Sequence, residues 1–156
     1  MRVQEIMTQD VACVSRQTNA ATAAEIMWMR NCGALPIVED GGRLVGAVTD
    51  RDLFIALGTQ NRMPAELQME AVMRSGPFFC EQGDDVRQAL KTMAREKIHR
   101  LPVVDESRTL KGILSIDDVL ARTDSLLKED AIRTIKAISE HQINTRPEPL
   151  IVEASD

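Results

Sequence analysis

One pattern occurs twice in this chain at a fixed distance and without a gap, and that limits what the chain can fold into. The later copy is KIHRLPVVDESRTLKGILSIDD, from Lys97 to Asp118. It reads as an apolar strand (Leu101 to Val104), a polar turn (Asp105 to Arg108), a second strand (Leu110 to Leu114) and a helix start at Ser115-Ile116-Asp117-Asp118. The earlier copy has Leu35-Pro36-Ile37-Val38, a turn at Asp40-Gly41-Gly42, then Leu44 to Val48 and Thr49-Asp50-Arg51-Asp52. Leu35 and Leu101, Gly46 and Gly112, and Asp52 and Asp118 are each 66 residues apart. A unit of roughly 60 residues is near the lower limit for folding alone. The two copies are therefore expected to share an interface and fold as one module.

The rest of the chain extends the repeat. Val3, Ile6 and Met7 have the spacing of one helical turn, and Met69, Val72 and Met73 repeat it. Val11 to Val14 reads as a short strand, with Phe78 to Cys80 as its counterpart. A helix follows in each copy. Thr18 or Asn19 can cap the first, with Ala20, Ala23, Ala24 and Met27 on one face. Asp84 or Asp85 can cap the second, with Val86, Ala89, Leu90 and Met93 on one face. Gly33 suits a left-handed end to the first helix. Last helices run from Asp52 to about Leu57 and from Asp118 to about Arg122. The expected fold class is α/β, of the α+β kind: two β-α-β-β-α repeats, at 1–62 and 63–124. Residues 125–156 add an amphipathic helix with a Leu127, Ala131, Ile135, Ile138 stripe, and a tail in which Leu150-Ile151-Val152 could dock.

Composition removes several function classes. The net charge of −5 opposes binding to nucleic acid and to anionic membranes, and no basic run offsets it. The four aromatic side chains, Trp28, Phe54, Phe78 and Phe79, are too few for base-stacking platforms. The three cysteines lack metal-type spacing, and two sit among apolar residues, so buried free thiols in a reducing compartment are expected. No apolar run suits a signal peptide or a bilayer span. A soluble, cytoplasmic protein is the expectation. The sequence has no P-loop, no G-x-G-x-x-G and no metal-spaced His/Cys set. The adjacent acids Asp117 and Asp118 should diverge rather than converge for acid–base work. The chain is not expected to be an enzyme, nor to require a metal or cofactor.

The motif that remains is glycine, two apolar residues, Thr or Ser, two more residues, then Asp: Gly46 to Asp52 and Gly112 to Asp118. Ser/Thr-x-x-Asp resembles a capping box, which needs no ligand. A carboxylate at a strand-to-helix corner can also accept hydrogen bonds from both hydroxyls of a ribose, while the hydroxyl and helix N–H groups meet phosphate or sugar oxygens. The two roles can coexist. His99 and Arg100 precede the strand in the second copy, where the first has Gly33 and Ala34. They can be structural, or cationic ligand contacts.

With the Leu-Pro-Ile/Val-Val strand and the Gly-x-x-Thr/Ser-x-x-Asp motif both present twice, residues from about Val3 to Thr123 resemble a tandem pair of cystathionine-β-synthase (CBS) domains. The resemblance implies a pseudo-two-fold pair, or Bateman module, with two clefts between the domains. Such clefts take adenosyl ligands: AMP, ADP or ATP, or else S-adenosylmethionine or a dinucleotide. KIHRLPVVD is similar to a segment of the γ subunit of AMP-activated kinases, where the His and Arg face phosphates. The family's ribose positions fall on Thr49 with Asp52 and on Ser115 with Asp118. The Ser115/Asp118 cleft is expected to be lined by Val11, Ala12 and Ala34 to Ile37, Pro36 included, with Arg100 as phosphate partner and His99 beside it. The Thr49/Asp52 cleft is expected to be lined by Pro77 to Phe79, Phe78 included, and by Leu101 to Val103, Pro102 included. A homodimer and a regulated partner protein are implied as well. The alternative function is a structural dimerisation module with empty clefts.

Overall fold

The computed structural model describes residues 1–144. Leu150-Ile151-Val152 lies outside them. Two three-stranded sheets carry the repeat. In the first, β1 (Ala34–Val38) pairs antiparallel with β2 (Leu44–Thr49), and β2 with β3 (Arg74–Ser75). In the second, β4 (Cys80–Glu81) runs parallel to β5 (Arg100–Val104), which pairs antiparallel with β6 (Leu110–Ser115). The hairpins keep the 66-residue offset in register: Leu35 faces Val48, and Leu101 faces Leu114.

Helix α1 (Ala20–Met29) starts at Asn19, whose side chain accepts from the Thr22 N–H. Ala20, Ala23 and Met27 are buried, whereas Ala24, expected on the same face, is exposed. Helix α3 (Val86–Glu96) starts at Asp85 and buries Val86, Ala89, Leu90 and Met93 as the spacing predicts. The left-handed residue after α1 is Asn31, at φ 49°, and not Gly33; Lys97 takes the same conformation after α3, at φ 58°. Helices α2 (Asp50–Thr59) and α4 (Ile116–Arg122) begin two residues before the expected acids, because Thr49 and Ser115 are the caps.

The Val11 to Val14 strand is reduced to one bridge. Only Val14 reaches a neighbour, donating to the Pro36 carbonyl and accepting from the Val38 N–H. Val11 and Ala12 turn toward the cleft instead.

Each repeat places its lead-in segment in the other lobe. Val3, Ile6 and Met7, beginning with a single 3₁₀ turn at Val3–Glu5, are buried in the core of the second repeat. Thr8 exchanges two backbone hydrogen bonds with Ile113 at 2.9 Å. Leu67 and Met69 are buried in the first repeat's core, and β3 completes that sheet. This exchange joins two small cores into one folded unit.

Helix α5 (Ser125–Asn144) lies against α3 and α4. Its Leu127, Ala131 and Ile138 are buried in the second core, with Ile135 packed beside them. The stripe is internal packing and so cannot serve as a surface between copies. No helix of the described residues is long and apolar enough to cross a membrane. All three cysteines are free; Cys80 is buried and Cys32 half-buried, whereas Cys13 is exposed and departs from the expected burial.

Candidate functional site between the repeats

Both Thr/Ser-x-x-Asp corners form the capping box that the motif predicts. Asp118 Oδ2 accepts from the Ser115 N–H at 2.9 Å and the Ser115 hydroxyl at 2.6 Å, while the Asp118 N–H donates to Ser115 Oγ at 3.1 Å. Asp52 makes the same set with Thr49, at 3.0, 2.7 and 3.1 Å. The helix caps thus fix both carboxylates at a strand-to-helix corner, each side chain 11% exposed.

The other oxygen differs between them. Asp118 Oδ1 accepts from the Thr8 hydroxyl at 3.1 Å and lies 3.6 Å from the Arg122 guanidinium, too far for a hydrogen bond. Asp52 Oδ1 accepts twice from Arg74, at 2.8 and 3.2 Å. Thr8 and Arg74 are equivalent positions, 66 residues apart. A carboxylate has about four acceptor sites. Asp52 therefore has its acceptor capacity filled, whereas Asp118 keeps some on Oδ1. Burial works to raise the Asp52 carboxyl, but the Thr49 and Arg74 hydrogen bonds and the Arg74 charge outweigh it and hold it below its ordinary value.

A cavity of ≈ 270 Å³ opens beside Asp118. The chain after the first turn supplies Thr8, Asp10, Val11 and Ala12; the end of α1 and the start of β1 supply Arg30, Cys32 and Ala34. The second repeat supplies Arg100, Ile113, Ser115, Asp117 and Asp118. Asp10 and Arg30 form an ion pair at 3.1 Å.

Of the residues singled out from sequence, Ala12, Ala34, Arg100, Ser115 and Asp118 come together here. Pro36 is buried and does not line this cavity, and His99 is exposed, its backbone carbonyl accepting from the Ile116 N–H. Thr49 and Asp52 lie at the opposite corner. Pro102 is half-buried within β5, and Phe78 is exposed. Pro77 and Phe79 line a separate cavity with Leu44 and Arg108, which neither Thr49 nor Asp52 reaches. The Arg108 guanidinium lies 5.1 Å from the centre of the Phe79 ring. Asp117, expected to diverge from Asp118, lines the same cavity. Sequence reasoning missed Thr8, Asp10, Arg30 and Arg74. The repeat offset would pair Thr8 with Arg74, but nothing local says that each crosses to the other lobe.

Two similar lobes, with capped carboxylates at their junction and a mixed polar cavity lined by both, define a paired-repeat module. The chain belongs to the CBS domain family, whose model matches residues 3–59 and 69–124. It is 31% identical over 118 residues to the uncharacterized protein MK0525 of Methanopyrus kandleri, covering 76% of this chain and 60% of that protein. The CBS domain pair of MJ0100, in complex with 5′-methylthioadenosine and S-adenosyl-L-methionine, superposes with a TM-score of 0.70 at 26% identity, over 78% of this chain and 94% of that one. CBSX2 in complex with AMP gives 0.64 at 25% identity, over 92% and 98%.

Proposed function

We propose that the protein is a regulatory module that binds an adenosine nucleotide (AMP, ADP or ATP) in the Ser115/Asp118 cleft and signals through its packing with a partner protein or a second copy. The observation that carries this reading is the spare acceptor capacity of Asp118 inside a cavity shared by both repeats. A ribose diol would donate to Asp118 Oδ1, the backbone at Ala12 and Ala34 would flank the base, and Arg100 would meet phosphate. The ligands of MJ0100 and CBSX2 support an adenosyl ligand class. At the Thr49/Asp52 corner a ribose would have to displace Arg74, so that cleft is the weaker one. In this reading residues 1–62 and 63–124 are the two halves, 125–156 is an appended segment, and the chain binds rather than catalyses.

The second copy is proposed to dock on the α1–α2 face. Helix α5 covers the α3–α4 face of the second repeat, but the equivalent face of the first carries Trp28 at 87% and Phe54 at 78% exposure. A homodimer through that face would bury both aromatic side chains.

A thermal-shift series with adenosine, AMP, ADP, ATP and guanosine monophosphate tests the ligand class. A ligand at 100 times its Kd stabilises the folded state by about 2.7 kcal/mol. That corresponds to a rise of roughly 5–10 °C in Tm for a chain of this size. Stabilisation by adenosine compounds but not by the guanosine control is expected. No shift with any adenosine compound would contradict the reading.

A further inference from the structure

Resting on the adenosine-binding reading above, we infer that Asp10 and Asp117 make the Ser115/Asp118 cleft selective for adenosyl ligands carrying at most one phosphate. The charged side chains lining the cavity are Asp10, Asp117 and Asp118 against Arg30 and Arg100, an excess of one negative charge. These charges are not interchangeable. Asp118 is held by Ser115 and Thr8, and Arg30 is engaged by Asp10 at 3.1 Å. That leaves Arg100 as the available cation and Asp117 as the available anion; neither has an ion-pair partner among the described residues.

One guanidinium can meet one phosphate. A second and third phosphate would extend past Arg100 toward the unpaired Asp117 carboxylate and an Arg30 whose charge Asp10 already engages. Juxtaposed like charges of this kind exclude a ligand rather than merely fail to attract it. The same carboxylates accept a neutral or cationic group at the 5′ position.

The fold does not itself require these acids. Sixty-six residues away, the position of Asp117 is taken by Arg51 and that of Asp10 by Gly76. Asp117 stands in the first turn of α4, where an acid complements the helix dipole. Yet α2 forms with Arg51 in the equivalent place. The acidic rim is a property of this cleft, not of the repeat.

Calorimetric titration of the full chain with adenosine, AMP, ADP and ATP, without Mg²⁺, tests the inference. AMP should bind at least about tenfold more tightly than ATP at low salt, a gap that screening narrows as ionic strength rises. Asp117→Asn, shown by its melting curve to fold like the parent, should move ATP affinity toward that of AMP, and Asp10→Asn should act in the same direction. ATP binding as tightly as AMP would overturn the inference, as would a gap unchanged in both variants. If no adenosine compound binds at all, the adenosine reading itself fails, and this one with it.

Discussion

Asp52 and Asp118 show how much a single contact decides. Both sit in equivalent capping boxes, and the hydrogen-bond donor on the outer oxygen differs: Arg74 for one, Thr8 for the other. The Asp52 carboxyl is held below its ordinary value of 3.8, so its ionised form favours the folded state. That contribution is present above about pH 4 and is lost as pH falls through the folded-state value. Asp52→Asn should therefore destabilise the protein by about 1–3 kcal/mol at neutral pH. Urea denaturation from neutral to acid pH should show the gap to the parent closing once both carry a neutral group. Cysteine chemistry gives a second outcome at this scale. Burial, then the nearby Asp84 charge, push the Cys80 thiol up to about 12. At mildly alkaline pH iodoacetamide should modify exposed Cys13 and leave Cys80 unmodified in the folded protein, read by mass spectrometry. The caps were legible in the sequence because they are local, i to i+3 events. Arg74 on Asp52 was not, since 22 residues separate them and β3 had first to join the other lobe's sheet.

At the level of elements, the hairpins, α1, α3 and, apart from exposed Ala24, their buried faces followed from periodicity and capping residues. Expectations failed where the fold does not obey local preference. Val11 and Ala12 lie in a strand-like stretch but line the cleft, and Asn31 rather than Gly33 takes the left-handed turn. The lead-in segments have the spacing of helical turns, but their exchange between lobes leaves no local signature. Gly46 and Gly112 are where that exchange becomes a steric requirement. A Cβ at Gly112 would stand 2.7 Å from the Thr8 carbonyl oxygen and 2.9 Å from Met7 Sδ. At Gly46 it would meet the Met73 methyl at 2.5 Å and the Arg74 carbonyl at 3.2 Å. A methionine end can move, whereas a paired backbone carbonyl cannot. Gly112→Ala should cost about 1–3 kcal/mol and exceed Gly46→Ala, as chemical denaturation of the two variants can show.

For the whole molecule, the gap-free repeat gave the pairing of lobes, and the cleft that joins Ala12 and Ala34 to Arg100, Ser115 and Asp118 followed from the family resemblance. The role of α5 was not legible: its apolar stripe could face another copy or its own core, and spacing alone does not distinguish them. Its burial in the second core leaves the α1–α2 face uncovered. Phe54→Lys should shift the proposed dimer to monomer in light scattering at tens of micromolar, while an unchanged dimer mass would direct attention to another face. The claim that binding belongs to the Ser115/Asp118 cleft is tested most directly by calorimetric titration of AMP into Asp118→Ala and Asp52→Ala, each first shown to melt cooperatively. The account predicts that Asp118→Ala loses the tight event and that Asp52→Ala retains it; tight binding that survives Asp118→Ala and disappears in Asp52→Ala would contradict it.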